Sequence, residues 1–208
     1  MVSNIISTIT LTSLLGIGGL VNPLLSEQPL ASHEISLEKR YYPVQKENIL
    51  LNLAYMNGQV TSKQDINWDE IKKPAIYQFK LNPGETFAYH DDVLPEYKDK
   101  VVLTTKAHFN AQEGFKSYGY LVGDGVCHLA SLMYWVAKDA GLDALAPTNH
   151  NFMAIPEIDK IYGVSIYANP FANGAHARQN LYITNNKQNP ITFKFEYKED
   201  KIKLSILK

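Results

Sequence analysis

The sequence predicts an α+β domain, with helices in the N-terminal half, including one starting at Cys127, packed on a mainly antiparallel C-terminal sheet. Three observations predict it. Apolar residues recur at helical spacing ahead of Gly58 and again ahead of Gly141. Beyond Phe152 the pattern changes to short β-rich runs, of which the last two alternate strictly. With 208 residues, 45% of them apolar and 20% charged, the chain can build one core with a short appendage.

In chain order, Met1 to Ser26 carries no charged side chain, and Ile5 to Leu25 mixes eleven Ile, Leu and Val residues with Ser, Thr and Gly. The length approaches the roughly 20 apolar residues that cross a bilayer. Small residues at Leu30-Ala31-Ser32 suit a signal peptidase. Residues 1–32 are therefore expected to be an export signal or membrane anchor, with a buried apolar arm as the other reading, and residues 33–208 form the domain. A helix follows over 44–57, stopped by Gly58. The polar stretch Gln59 to Lys73 reads as a loop, and Ala75 to Leu81 as a strand. Asn82-Pro83-Gly84-Glu85 is a turn, because Pro presets one central residue and Gly permits positive φ at the next.

Val101 to Thr105 is a further strand candidate, followed by the glycine turn Gly123-Asp124-Gly125. Directly after it, Leu129, Leu132, Met133, Val136 and Ala140 share one helical face, giving a helix of about fourteen residues. The closing runs are Val164–Tyr167, Leu181–Thr184, Ile191–Tyr197 and Lys201–Leu207, with Asn185-Asn186 and Glu199-Asp200 as turns. A balance of 20 basic and 21 acidic side chains argues against a polyanionic partner, so nucleic acid is not expected.

The chemistry centres on Cys127, the single cysteine. A thiol where a glycine turn meets a helix N-terminus faces exposed amides and the helix dipole, both of which favour the thiolate. Gly123, Asp124 and Gly125 could converge backbone N–H groups on an oxyanion. His150, 23 residues downstream and past the helix, is the candidate base, with Asn151, Asp159 and Glu85 as candidates to orient it. The other use of Cys127 is as a small buried apolar residue. His128 reads as a surface helix residue or a second polar group of the site. His90, His108 and His176 read as surface or loop residues, without metal-ligand spacing, and neither a metal nor a cofactor is implied. Tyr42 and Tyr118, with Tyr41 and Tyr120, suit core packing or the lining of a groove.

The ordered motifs resemble the VanW-like family. Asn48 to Gly58 resembles its helix ending in Asn-Gly, and Leu81 to Tyr89 its Leu-x-Pro-Gly-Glu-x-Phe-Ser-Phe signature. Gly123 to Tyr134 resembles Gly-Gly-Gly-Ile-Cys-Gln-Val-Ser-Ser-Thr-Leu-Tyr. Ala140-Gly141-Leu142, His150, Asn185-Asn186 and Pro190-Ile191 match its later motifs. The chain departs where the family's Gln is His128, its first His is Thr148, its middle Gly is Asp124, and its Asp-Ala-Thr-Val run is Gly163-Val164-Ser165-Ile166. The resemblance implies one site of Cys127, His150, Glu85 and the glycine turn; His128, Ser131 and Tyr134 are expected to stand behind it. It also implies an extracytoplasmic envelope setting, held at the membrane through residues 1–26, and a cell-wall peptide or glycan as partner. Thiol acyl transfer or hydrolysis on peptidoglycan-related peptides is then one expectation, and a non-catalytic envelope-binding or scaffolding module the other.

Overall fold

The computed structural model describes residues 28–40, 42–119, 123–166 and 176–208. The N-terminal apolar segment, Tyr41, Tyr120 and Tyr167 lie outside them. Among the described residues no helix is long and apolar enough to cross a membrane.

The fold is α+β. One sheet has the order β1-β8-β7-β2 and is antiparallel throughout, built from β1 (Ala31–Ser36), β2 (Ala75–Leu81), β7 (Ile191–Lys198) and β8 (Lys201–Leu207). The second has the order β4-β3-β6-β5, from β3 (Thr86–Ala88), β4 (Val101–Leu103), β5 (Asp143–Leu145) and β6 (Tyr182–Thr184), and its β3–β4 pair is parallel. The strict alternation of β7 puts Ile191, Phe193, Phe195 and Tyr197 inward. Phe193 stacks on Phe79 of β2, with ring centres 4.6 Å apart. Glu199 and Asp200 both take positive φ, the geometry that closes a two-residue hairpin between β7 and β8.

Helix α1 (Pro43–Met56) is buried along almost its whole length, and α3 (Val126–Asp139) buries Leu129, Leu132, Met133 and Val136. The expected helix at Cys127 thus begins one residue earlier. A short helix, α2 (Trp68–Ile71), lies inside the stretch expected to be a loop, nucleated by Asn67 accepting from the Asp69 and Glu70 amides.

Two buried asparagines of α1 reach the segment before α3. Asn48 Nδ2 donates to the Lys116 and Asp124 carbonyls, and its Oδ1 accepts from the Lys116 amide. Asn52 Nδ2 donates to the Tyr89 hydroxyl, which in turn donates to the Val126 carbonyl. The bonds of Asn48 satisfy both ends of its buried amide and fix the glycine turn on α1, whereas Asn52 leaves its own Oδ1 without a partner among the described residues.

The expected strand over 164–167 is not formed in its described part. The Val164, Ser165 and Ile166 amides go instead to Ser131 Oγ, the Thr148 carbonyl and Cys127 Sγ. Three successive donors are thus spent on tying this segment to α3 and to residues 148–150 rather than on a ladder.

Candidate active site

Cys127 is the second residue of α3, whose N-cap is Gly125 at φ 97°. A cleft of about 200 Å³ opens there, and Cys127, His128, His150 and the whole Gly123-Asp124-Gly125 turn line it, with Ser165, Ile166 and Gln179. Tyr42 and Gln45 at the start of α1, with Phe152 and Met153, complete the lining. Two imidazoles, the thiol and the glycine turn therefore line one cleft.

The state of the thiol differs from the expectation. Its Sγ–H donates to the Ile166 carbonyl at 3.2 Å, and Sγ accepts from the Ile166 amide at 3.3 Å. Among the described residues no hydrogen bond joins it to His150. The residue as a whole is half-buried, yet the sulfur lies deep enough that burial pushes the thiol up to about 11, and the Asp124 carboxylate adds to the rise. Burial outweighs the helix N-terminus, so the resting group is a thiol rather than a thiolate.

The partners of the two imidazoles fix opposite tautomers. His150 Nδ1 lies 3.1 Å from the Met153 carbonyl, which can only accept, so Nδ1 carries the proton and Nε2 keeps its lone pair. His128 Nδ1 lies 3.0 Å from Nη1 of Arg40, which can only donate, so the proton of His128 sits on Nε2. The rings are perpendicular, with centres 6.4 Å apart. Burial lowers the affinity of His150 for a second proton. Burial, then the charges of Arg40 and His150, takes His128 down to about 3. The cleft thus presents a thiol, a neutral base and a neutral donor.

His128 is buried in the cleft wall, which sets aside its reading as a surface helix residue and leaves that of a polar group of the site, and His90 lies in a loop but is buried rather than exposed. His90 sits against Asn180 and the Gln179 carbonyl. None of the three expected orienting side chains lines the cleft. Glu85 binds the amide and side chain of Asn82 and closes its own turn, and Asn151 is exposed. Asp159 caps a short 3-10 helix at Lys160–Tyr162. The Met153 carbonyl occupies the orienting position instead. Ser131 donates to the Cys127 carbonyl at 2.7 Å and braces residue 164 from behind. Tyr134, two turns further along, packs edge-on to Tyr162 outside the cleft. Tyr42 stacks on the exposed Tyr118 at 3.8 Å, so this pair forms a rim and not core. The sequence gives no signal for Arg40, Gln45, Phe152, Met153 or Gln179.

One consequence can be measured directly. Folded His128 stays neutral down to about pH 3, while an unfolded histidine titrates near 6.5. Below pH 6.5 the unfolded chain binds the extra proton, so stability falls as pH falls. His128→Gln is expected to remove about 2 kcal/mol of the stability loss between pH 7 and pH 5, read by urea unfolding at both values. Identical losses in variant and wild type would contradict the neutral, buried imidazole.

An α+β domain with a cysteine at a helix N-terminus, set in a cleft shared with two imidazoles, is a cysteine-centred site on a mixed scaffold. The chain belongs to the VanW-like family: the family model described as VanW like protein matches residues 70–207, which take in Glu85, the glycine turn, Cys127 and His150 but not β1 or α1. No curated protein and no solved structure matches the chain.

Proposed function

We propose that the chain is a cell-envelope protein, exported or anchored through residues 1–26, whose cleft performs thiol acyl transfer or hydrolysis on peptidoglycan-related peptides. The observation that carries this reading is the pair of opposite tautomers in one cleft with the only thiol. The cleft is open on one side and lined by both polar and apolar groups, which suits a short stretch of extended peptide.

In this mechanism Cys127 Sγ attacks the peptide carbonyl carbon while its proton passes to His150 Nε2, held in place through Nδ1–H and the Met153 carbonyl. The tetrahedral oxyanion collapses, the carbon–nitrogen bond breaks, and the imidazolium returns the proton to the leaving amine. A thioester remains on Cys127. Water, or the amine of a second peptide, then displaces the sulfur, with His150 taking the incoming proton and returning it to the thiol.

Incubation with synthetic cell-wall tetrapeptides and pentapeptides is expected to add an acyl mass to the wild type and none to Cys127→Ala, read by intact mass spectrometry. A specific observation supports a second reading, a non-catalytic binding module: the resting thiol is satisfied by Ile166 and is un-ionised. Saturable peptide binding with no adduct, unchanged in Cys127→Ala, would establish that reading in place of catalysis.

A further inference from the structure

The acyl-transfer reading needs a donor for the oxyanion, and the glycine turn supplies fewer than its sequence suggests. The Gly123 amide is bound to the Lys116 carbonyl, and the Val126 and His128 amides are bound to the Gly123 and Gly125 carbonyls. We infer that the Nε2–H of His128 donates to the acyl oxygen of the ligand on Cys127, and that Arg40 is the positioning residue that fixes this tautomer. The inference rests on the acyl-transfer reading of the cleft.

Arg40 is suited to the role by its chemistry and its anchoring. A guanidinium has five donors and no acceptor, so a ring nitrogen facing it must be unprotonated. Its side chain is 1% exposed, and it is held by Nε to the Ser36 carbonyl at 3.0 Å and by Nη2 to Glu157 Oε2 at 3.1 Å. Nη1 is thereby left pointing at His128 Nδ1. Glu157 is itself fixed by the Ser36 amide and by Lys39. It sits at φ 72°, a left-handed conformation that a non-glycine residue adopts at a cost. The strain is kept where one carboxylate gathers Ser36, Lys39 and Arg40 together.

Two effects follow for His128. The positive charge behind Nδ1 polarises the ring toward a stronger Nε2–H donor. The same charge opposes a second proton, so the donor stays neutral and forms no competing ion pair with a substrate carboxylate. His128 directly follows the nucleophile on the first turn of α3, and His150 carries the complementary tautomer, so donor and base are separate groups.

The resting protein offers the first test. Nitrogen-15 NMR of the histidine side chains is expected to show His128 protonated at Nε2 alone in the wild type, and a mixture of tautomers in Arg40→Met. Arg40→Lys, which keeps the charge but cannot serve Ser36, Glu157 and His128 at once, is expected to give the same mixture and covers the case in which Arg40→Met does not fold. Nδ1 protonation in the wild type, or a tautomer unmoved by either variant, would overturn the role of Arg40, whether or not any peptide reacts.

Acylation by a cell-wall tetrapeptide is the second test. His128→Ala is expected to slow it at least tenfold, and His128→Gln, whose amide also offers a neutral N–H, to restore most of the rate. Arg40→Met should slow acylation in the His128 protein and have little further effect in the H128Q background. Equal losses in the two backgrounds would assign Arg40 a structural role only. Wild-type protein that never acylates would refute the catalytic reading and with it the donor role, while the NMR result still decides what Arg40 does to His128.

Discussion

Gly125→Ala is expected to destabilise the protein by about 2–5 kcal/mol and to dismantle the cleft with it. Two costs add. Gly125 sits at φ 97°, where an L side chain pays roughly 1–2 kcal/mol. A Cβ at that position would also lie 2.6 Å from the Gln45 carbonyl oxygen and 2.8 Å from the Gln45 Cα, and overpacking against backbone costs about 1–3 kcal/mol more. Backbone cannot rotate out of the way as a side chain would, so α1 and the start of α3 must part. Gly84 provides the control. It has nearly the same φ of 82° but nothing within 4 Å of the added Cβ, so Gly84→Ala should show the conformational cost alone. Urea midpoints for the two variants measure the difference. Equal destabilisation would mean that α3 does not need its close approach to Gln45 to place Cys127.

That close approach also shows where sequence reasoning reaches its limit. Local signals were sufficient for α1, α3, β2, β7 and β8, because a buried helix face and a half-wet strand each leave a period in the chain. β1 was not legible. It has one fully buried apolar residue, Ile35, among Ser, His and Glu, and its order comes from pairing with β8 at the other end of the chain. β5 spans three residues and owes its existence to β6. The run at 164–166 is apolar and β-branched enough to resemble a strand, but tertiary demand takes its amides for Ser131, Thr148 and Cys127.

The candidate site divides in the same way. A cysteine after a glycine turn at a helix start is a local pattern, and the turn, Cys127 and His150 do meet in one cleft. The groups that set their chemistry are not local. The Met153 carbonyl is a backbone atom with no residue signature, and Arg40 reaches His128 across 88 positions of sequence. The expected thiolate failed for a related reason: a helix terminus can be seen in sequence, whereas the depth at which the sulfur is buried cannot. A triad read from side chains points to Asn151, Asp159 or Glu85. A carbonyl performs the same service, since it demands a proton on Nδ1 and frees Nε2.

His150→Ala is expected to slow peptide acylation of Cys127 by about 10²- to 10⁴-fold while leaving alkylation by iodoacetamide almost unchanged. The two reactions ask different things of the sulfur. With the thiol pushed up to about 11, only about one molecule in ten thousand is thiolate at pH 7, against about one in thirty for a free cysteine near 8.5. Alkylation of the native protein should therefore be slow at neutral pH and rise roughly tenfold per pH unit toward 11. His150 is neutral, because burial lowers its pKa, so it lends no positive charge to a resting thiolate and its removal changes little. Acylation differs because the proton must leave as the sulfur attacks, and a neutral Nε2 can take it. The same lowered pKa keeps that base competent at pH values below 6.5, so acylation should persist into mildly acidic solution. Rates of both reactions between pH 5.5 and pH 10, in wild type and His150→Ala, separate the cases. Fast alkylation below pH 7 that slows without His150 would mean a preformed thiolate–imidazolium pair, contrary to the hydrogen bonds that Ile166 makes to the sulfur. Acylation indifferent to His150 would remove it as the base. A thiol that is protected at rest and deprotonated only against a bound carbonyl would confine the reactivity of Cys127 to the moment at which a peptide fills the cleft.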